Sequence, residues 1–540
     1  MSEYHGEQPQ YDIQSAYLTV QPPEAVSHSQ ESTAVGHQDG AAPTLVASPL
    51  QSPQPYIPEE RLDASASTAH STAINRSQSQ RSTAQPRRGT GSKPHQKART
   101  LSQLVTPEKP LGKEPTIVES LRALMFGSWF NVLLVFIPVS WALNFALPHS
   151  NPHKDLVVFI TSFIAIIPLA KLLGFATEEL SLRVGQTLAG LLNATLGNVV
   201  ELIVAIIALV KCELRVVQAS LVGSILSNLL LVLGMCFFAG GMKFSEQGFG
   251  LSATQLNSSL LTVSVIAVLL PAAFHFSVPN LADSVEAMDI LAVSHGTAII
   301  LLVIYVAYLI FQLFSHANLY EDTGDHIFKS TEYGPQTQDR VDKWKRRLHS
   351  PTPPKEKVRD TEGEGADHAS VDEEEEVETP SMTLLVSIAA LVVVTALVAV
   401  TAEWLVDSID GLTSSGKISK EFVGIILLPI VGNAAEHLTA VTVSVKDKLT
   451  LSIGVAVGSS IQIALFVIPL VVTIAWIMGK PLSLLFDPYE SIALFLAVLT
   501  VNYVVQDGKS NWLEGFILMC LYLILAVTFW FYPGSGELGC

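Results

Sequence analysis

Charge is scarce in this 540-residue chain: Asp, Glu, Lys and Arg make up 15% of it, against roughly 25% in soluble globular proteins. A row of three or four soluble domains, which the length alone would suggest, does not fit that figure. Cysteine is scarcer still. Cys212, Cys236, Cys520 and Cys540 are widely separated and form no CxxC pair, so they give neither a disulfide framework nor a zinc site. No HExxH stretch occurs, which argues against an intramembrane metalloprotease. The 32 basic residues are outnumbered by 49 acidic ones, a net charge of −17 that suits no nucleic-acid binder. The first residues show no charged segment leading into an apolar one, so no cleavable signal peptide is expected.

What the chain does have is apolar sequence. Mean hydropathy is +0.40 despite long polar stretches, so the remainder is strongly apolar. Residues 1–125 are rich in Ser, Gln, Pro, Thr and His without apolar periodicity, and read as a disordered tail. Its second half turns basic, from Arg87 to Lys113. Beyond it come apolar runs near the roughly 20 residues a membrane-crossing helix needs. Six lie at about 128–147, 155–174, 184–210, 214–239, 255–277 and 290–315. Five more lie at about 383–409, 420–444, 449–478, 486–505 and 511–532.

The expected class is an all-α polytopic membrane protein with eleven transmembrane helices. The first occupies 126–150, a five-helix repeat 151–315, a linker 316–382, a second five-helix repeat 383–533 and a short tail 534–540. The linker is basic around Lys343, Lys345, Arg346 and Arg347, and ends in the acidic run 371–378. Six spans put the basic tail and the basic linker on one side, the cytosolic one by the positive-inside tendency.

The repeat is visible in two motifs. Gly197-Asn198-Val199-Val200-Glu201 is followed by Gly432-Asn433-Ala434-Ala435-Glu436, 235 positions later (432 less 197). The same offset carries Gly223 and Ser224 onto Gly458 and Ser459, and Ser227 onto Gln462. Five helices is an odd number, so the second copy enters the membrane inverted relative to the first. Secondary transporters are commonly built this way, with the site at the midplane.

Glu201 and Glu436 fall near the middle of apolar spans that hold no Lys or Arg in their cores. A charge at that depth costs about 3 kcal/mol even on the insertion scale. Two such carboxylates brought together suit a hard divalent cation. The amides of Asn198, Asn433 and Gln462 and the hydroxyls of Ser224 and Ser459 add neutral oxygens. An all-oxygen set favours calcium over zinc or copper. Gly197 and Gly432 let the helix break and turn carbonyls toward the ion. Either a dication or protons would bring the pair toward neutrality, which is the basis for antiport.

Blander roles compete for the other residues. Small residues are common where membrane helices touch, and for Ser227 packing is as good an account as function. Glu403 and Asp407, at i and i+4, read equally as access-route groups or as a solvated helix end. Glu178 and Glu179 lie at a span end, where solvation is the simpler account. His437 is read as a packing residue with a proton role as the alternative, and the acidic run as a solvated linker.

With these motifs the chain resembles the calcium/proton exchanger family of the cation/calcium exchanger superfamily. The resemblance rests on GNVVE at 197–201 and GNAAEH at 432–437, supported by QASLVGSILSNLLL (218–231) and VGSSIQIALFVIPL (457–470). The tail and linker resemble a fungal vacuolar member. The resemblance implies eleven helices, one plus five plus five, with an acidic helix at about 371–378. It implies Glu201 and Glu436 as calcium ligands and proton acceptors, with the carbonyls of Gly197 and Gly432 as further ligands. Around these it places Asn198, Asn433, Ser224, Ser459 and Gln462, and along the access route Glu403, Glu178 and Asp407.

The expected function is therefore Ca²⁺/H⁺ antiport into an acidic vacuole, with no enzyme activity and no cofactor. Sodium-coupled calcium exchange or Mn²⁺/H⁺ exchange are the alternatives. The expected partners are the two ions and the bilayer, with the polar tail as the place where a regulatory partner or kinase would act.

Overall fold

The computed structural model describes residues 111–534, apart from 149, 278–282, 321–326, 335–378, 415 and 417. The tail up to residue 110, the acidic run 371–378 and the residues after 534 lie outside the described residues.

The first described element is α1 (Ile117–Phe126). Thr116 and Glu119 form a reciprocal cap, each side chain accepting the other's backbone N–H. The polar tail expected to run to 125 thus gives way to a helix several residues earlier. A 3₁₀ segment, Trp129–Val135, leads into α2 (Phe136–Ala146), and α3 follows at Lys154–Ser181. Next come α4 (Gln186–Leu196) and α5 (Val199–Val210), then α6 (Leu214–Leu226) and α7 (Leu233–Gly241), joined by a π turn. The first half closes with α8 (Leu251–Ser277) and α9 (Asp283–Ile310).

After the linker, α10 spans Leu384–Thr413. A short α11 (Lys420–Phe422) continues through a π turn into α12 (Leu428–Gly432) and, after a break, α13 (Ala434–Val445). The remaining helices are α14 (Leu449–Gln462), α15 (Ile468–Ile477), α16 (Pro488–Val504) and α17 (Trp512–Phe531).

Eight helices among the described residues are long and apolar enough to cross a membrane, or nine with the bent pair Lys420–Gly432 and Glu436–Val445. Val199–Val210 and Pro488–Val504 are apolar but shorter. The bundle's outside is apolar, with Val303, Val392, Leu385 and Ile524 all more than half exposed. Such a surface suits hydrocarbon better than water.

An all-α chain was expected, and one correction is needed. A small antiparallel sheet, in the order β2-β1-β3, joins β1 (Phe244–Gly248), β2 (Thr331–Glu332) and β3 (Lys509–Ser510). All three lie in connections, where no helical ladder serves the backbone, and strand pairing satisfies those groups instead.

The packing core runs between the halves. α3 and α10 pack along much of their length, and α6 lies against the π turn at Val423–Leu427. A side chain at Gly223 would run into the backbone of Ile425, so glycine permits this close approach. Leu229, Leu230, Val216, Ile461, Leu465 and Val471 are fully buried around it.

Local backbone features recur at the offset of 235. α5 ends before Cys212 and α13 before Asp447; these two are the non-glycine residues with positive φ among the described residues, each at 64°. π turns occur at Ser227–Val232 and again at Ile463–Val467. Helix breaks fall at Gly197-Asn198 and at Asn433. The π turn at Val423–Leu427 is a departure, because its counterpart lies inside the regular helix α4.

Candidate cation site

The site is built at the two helix breaks. Asn198 (φ −98°, ψ 23°) and Asn433 (φ −94°, ψ 4°) leave the helical range, and the helix on either side of Asn433 is bent by 59°. A break of this kind interrupts the ladder in which the last carbonyls of α4 and α12 would accept from the N–H groups of a following turn. Glu201 and Glu436 stand in the first turns of α5 and α13, three residues past the asparagines.

From there each glutamate reaches the other half of the chain. A Cβ on Gly432 would lie 2.9 Å from Glu201 Oε1, and one on Gly197 would lie 3.5 Å from Glu436 Oε1. The glycines therefore leave the space that the carboxylates occupy. Glu201 Oε1, Glu436 Oε2 and Asn433 Nδ2 are buried and find no hydrogen-bond partner among the described residues. Buried polar atoms without partners are costly to a fold.

A chain of neutral groups closes one side. Asn228 Nδ2 donates to Ser459 Oγ (3.2 Å), Ser459 Oγ donates to Asn198 Oδ1 (2.7 Å), and Asn198 Nδ2 donates to Gln462 Oε1 (2.7 Å). This network holds the break at Asn198 against α14. Ser224 lines a small cavity of about 20 Å³ beside Glu201, with Val200, Val204, Leu405 and Leu428. Among the described residues no three His, Cys, Asp or Glu side chains gather as a metal cluster. The donors here are two carboxylates with neutral oxygens, a hard set that suits an alkaline-earth cation.

The residues named from sequence part company at this point. Glu201, Glu436, Gly197, Gly432, Asn198, Ser459 and Gln462 meet; Ser224 and Asn433 border them. His437 turns to Ser227, with Nε2 3.5 Å from its hydroxyl. Glu403 and Asp407 are exposed and pair with Lys211, the former at 3.5 Å.

Glu178, near the end of α3, is also exposed. Its neighbour Glu179 is buried and accepts from the backbone N–H groups of Ser381 and Met382 at 3.0 Å, fastening the end of α3 to the approach to α10. One residue along a helix turns the side chain by about 100°, so adjacent acids face different partners. Asn228 was missed because the repeat pairs it with Ile463, which carries no polar signal.

Broken helices crossing at buried carboxylates within a polytopic bundle define a membrane protein of the ion-exchanger class. The sodium/calcium exchanger protein family matches residues 154–314 and 386–531, on either side of the linker. The chain is 50% identical over 530 residues to a vacuolar calcium ion transporter of Cryptococcus neoformans var. grubii, covering 89% of this chain and 87% of that one. It is 41% identical over 439 residues to a Schizosaccharomyces pombe protein of the same name (81% and 91% covered). A Ca(2+)/H(+) antiporter of Synechocystis is 40% identical over 404 residues (75% and 97%). The solved structure of native YfkE superposes with a TM-score of 0.55 at 30% identity, covering 75% of this chain and all of that one. The chain belongs to the sodium/calcium exchanger family and stands within it among the calcium/proton exchangers.

Proposed function

We propose that this protein is a secondary antiporter that exchanges Ca²⁺ for H⁺ and loads cytosolic calcium into an acidic vacuole. The observation that carries the reading is the crossing of Glu201 onto Gly432 and of Glu436 onto Gly197. Two carboxylates on opposite halves of the chain then share one site, so a cation bound there joins the halves. The names of the similar proteins support calcium as cargo and protons as counter-ion.

The architecture in this reading is eleven spans, one plus five plus five. It adds the broken pair α4–α5 and the short α16 to the nine that length and composition give. The breaks, positive-φ residues and π turns shared at the 235 offset support two copies of one unit. An odd number of helices per copy inverts the second, and the tail and linker then both face the cytosol.

Coupling follows from charge. The ionised pair, empty in a low-dielectric interior, opposes reorientation between the two faces. Calcium neutralises it from the near-neutral cytosol. On the acid side two protons replace the ion, and the protonated pair returns. The neutral amides and hydroxyls remain in place through both halves of the cycle.

The test is ⁴⁵Ca²⁺ uptake into proteoliposomes that are acidic inside. Uptake should be abolished by a protonophore and indifferent to a sodium gradient at clamped pH. Glu201→Gln and Glu436→Gln should each abolish accumulation. Sodium-driven uptake at clamped pH would overturn the proton coupling, and accumulation by either variant would overturn the site.

A further inference from the structure

We propose that the slot between α8 and α16 is a lipid site, holding one membrane lipid with an uncharged, hydroxyl-rich headgroup of the single-sugar type. The slot shares no lining residue with the cavity beside Glu201, and the proposal stands apart from the antiport reading.

The slot is a cavity of about 390 Å³, open to the outside and lined by both helices. That volume falls in the range of small-molecule sites, about 300–1,000 Å³. α8 contributes Gln255, Ser258 and Ser259; α16 and the turn after it contribute Asn502, Tyr503 and Gln506. The spacing within each set is that of one helix face, so two polar stripes confront each other. Helices that met only to pack would close such stripes on one another. Here a single bond joins them at the inner end, where Asn502 Nδ2 donates to Thr262 Oγ1 at 3.1 Å. The Asn502 side-chain oxygen is buried and has no partner among the described residues, so it can accept from a ligand hydroxyl.

The lining sets the headgroup class. It consists of amides, hydroxyls and a phenol beside Leu499 and Val505, with no charged side chain. A phosphate or an ammonium seated there would lose water without gaining a counter-charge, at high cost. A sugar hydroxyl both donates and accepts, as amide and hydroxyl side chains do, and so meets them in kind.

The rest of the two helices favours a lipid over a free sugar. Beyond the slot the same faces turn apolar and stay exposed, with Val263 and Ile266 on α8 and Ile492, Phe495 and Leu496 on α16. The polar part lies in the first three turns of α8 and at the end of α16, where a spanning helix meets the headgroup layer. Tyr503, 79% exposed, stands at that level, as interfacial tyrosines do. The surface is thus polar at headgroup depth and apolar at the depth of acyl chains.

The experiment uses the full chain, delipidated in detergent, and native mass spectrometry. Monoglucosyldiacylglycerol, phosphatidylcholine and phosphatidylglycerol with identical acyl chains are added in equal amounts. The unaltered protein should retain one glucosyl lipid about tenfold in preference to either phospholipid, the scale of one or two hydrogen bonds. Gln255→Leu combined with Gln506→Leu removes two exposed amides from the lining and should abolish the preference, with the melting temperature in lipid-free detergent unchanged. Tyr503→Phe keeps the ring, loses the hydroxyl and should weaken the preference about two- to five-fold. Equal retention of the three lipids, or a preference that survives in all these variants, overturns the site. Preferred retention of phosphatidylglycerol overturns the uncharged class. Displacement of the glucosyl lipid by methyl glucoside at equal concentration assigns the slot to a free sugar and overturns the lipid.

Discussion

The Ser459 hydroxyl donates to the side-chain oxygen of Asn198 at 2.7 Å, across 261 residues of chain. This bond fastens α14 to the break between α4 and α5, and so holds the first turn of α5, with Glu201, in its place.

Ser459→Ala removes the hydroxyl that donates to that oxygen and leaves a buried acceptor unmet. Such losses cost about 1–3 kcal/mol. The expected result is a lower melting temperature and a several-fold higher half-saturating calcium concentration in proteoliposome uptake. Ser459→Thr keeps the hydroxyl and should retain most of the affinity. A Ser459→Ala variant with unaltered calcium dependence would show that the network is not needed to hold the site.

Gly432→Ala places a methyl group where Glu201 Oε1 now lies, 2.9 Å from the added carbon. Overpacking of this order costs about 1–3 kcal/mol, and here the carboxylate must move to relieve it. Transport should fall at least tenfold while the protein still folds and elutes as a single species. Gly458→Ala is the control, because nothing lies within 4 Å of a Cβ there. It should transport normally, and equal losses in both variants would remove the steric account.

The cap on α1 predicts a pH dependence away from the transport site. The backbone N–H of Thr116, and then its hydroxyl, hold the Glu119 carboxyl below its usual range. A carboxyl lowered on folding stabilises the fold above its unfolded pKa, and that contribution is lost as pH falls through the folded value. Hydrogen exchange at the Thr116 and Glu119 amides, corrected for intrinsic rates, should be slow at neutral pH and accelerate only in acid. Glu119→Ala should exchange quickly at every pH. An acid step that survives in Glu119→Ala would assign it to another group.

Much of the site was legible because a buried charge in an apolar run has no neutral explanation. Glu201 and Glu436 stood out for that reason, and the repeat doubled the signal by bringing their Gly and Asn neighbours along. Asn228 carried no such mark, since only the fold turns it onto Ser459. Glu178 and Glu179 were equivalent as letters, and only the helix phase left one exposed and put the other on the backbone at Ser381. Lys211 lies just past an apolar run in the sequence, and its pairing with Glu403 and Asp407 is set by the fold.

The sequence by itself determined that the chain is rich in apolar helices, that two of its segments share a motif 235 residues apart, and that two carboxylates lie within apolar runs. Those facts follow from hydropathy and spacing, which act along the chain. Only the tertiary structure decided that each glutamate lies over the other motif's glycine, that neutral amides and hydroxyls close one side, and that Lys211 pairs with Glu403 and Asp407. Such contacts join residues 196 to 264 positions apart. Their pairing depends on how helices pack, which no local pattern specifies.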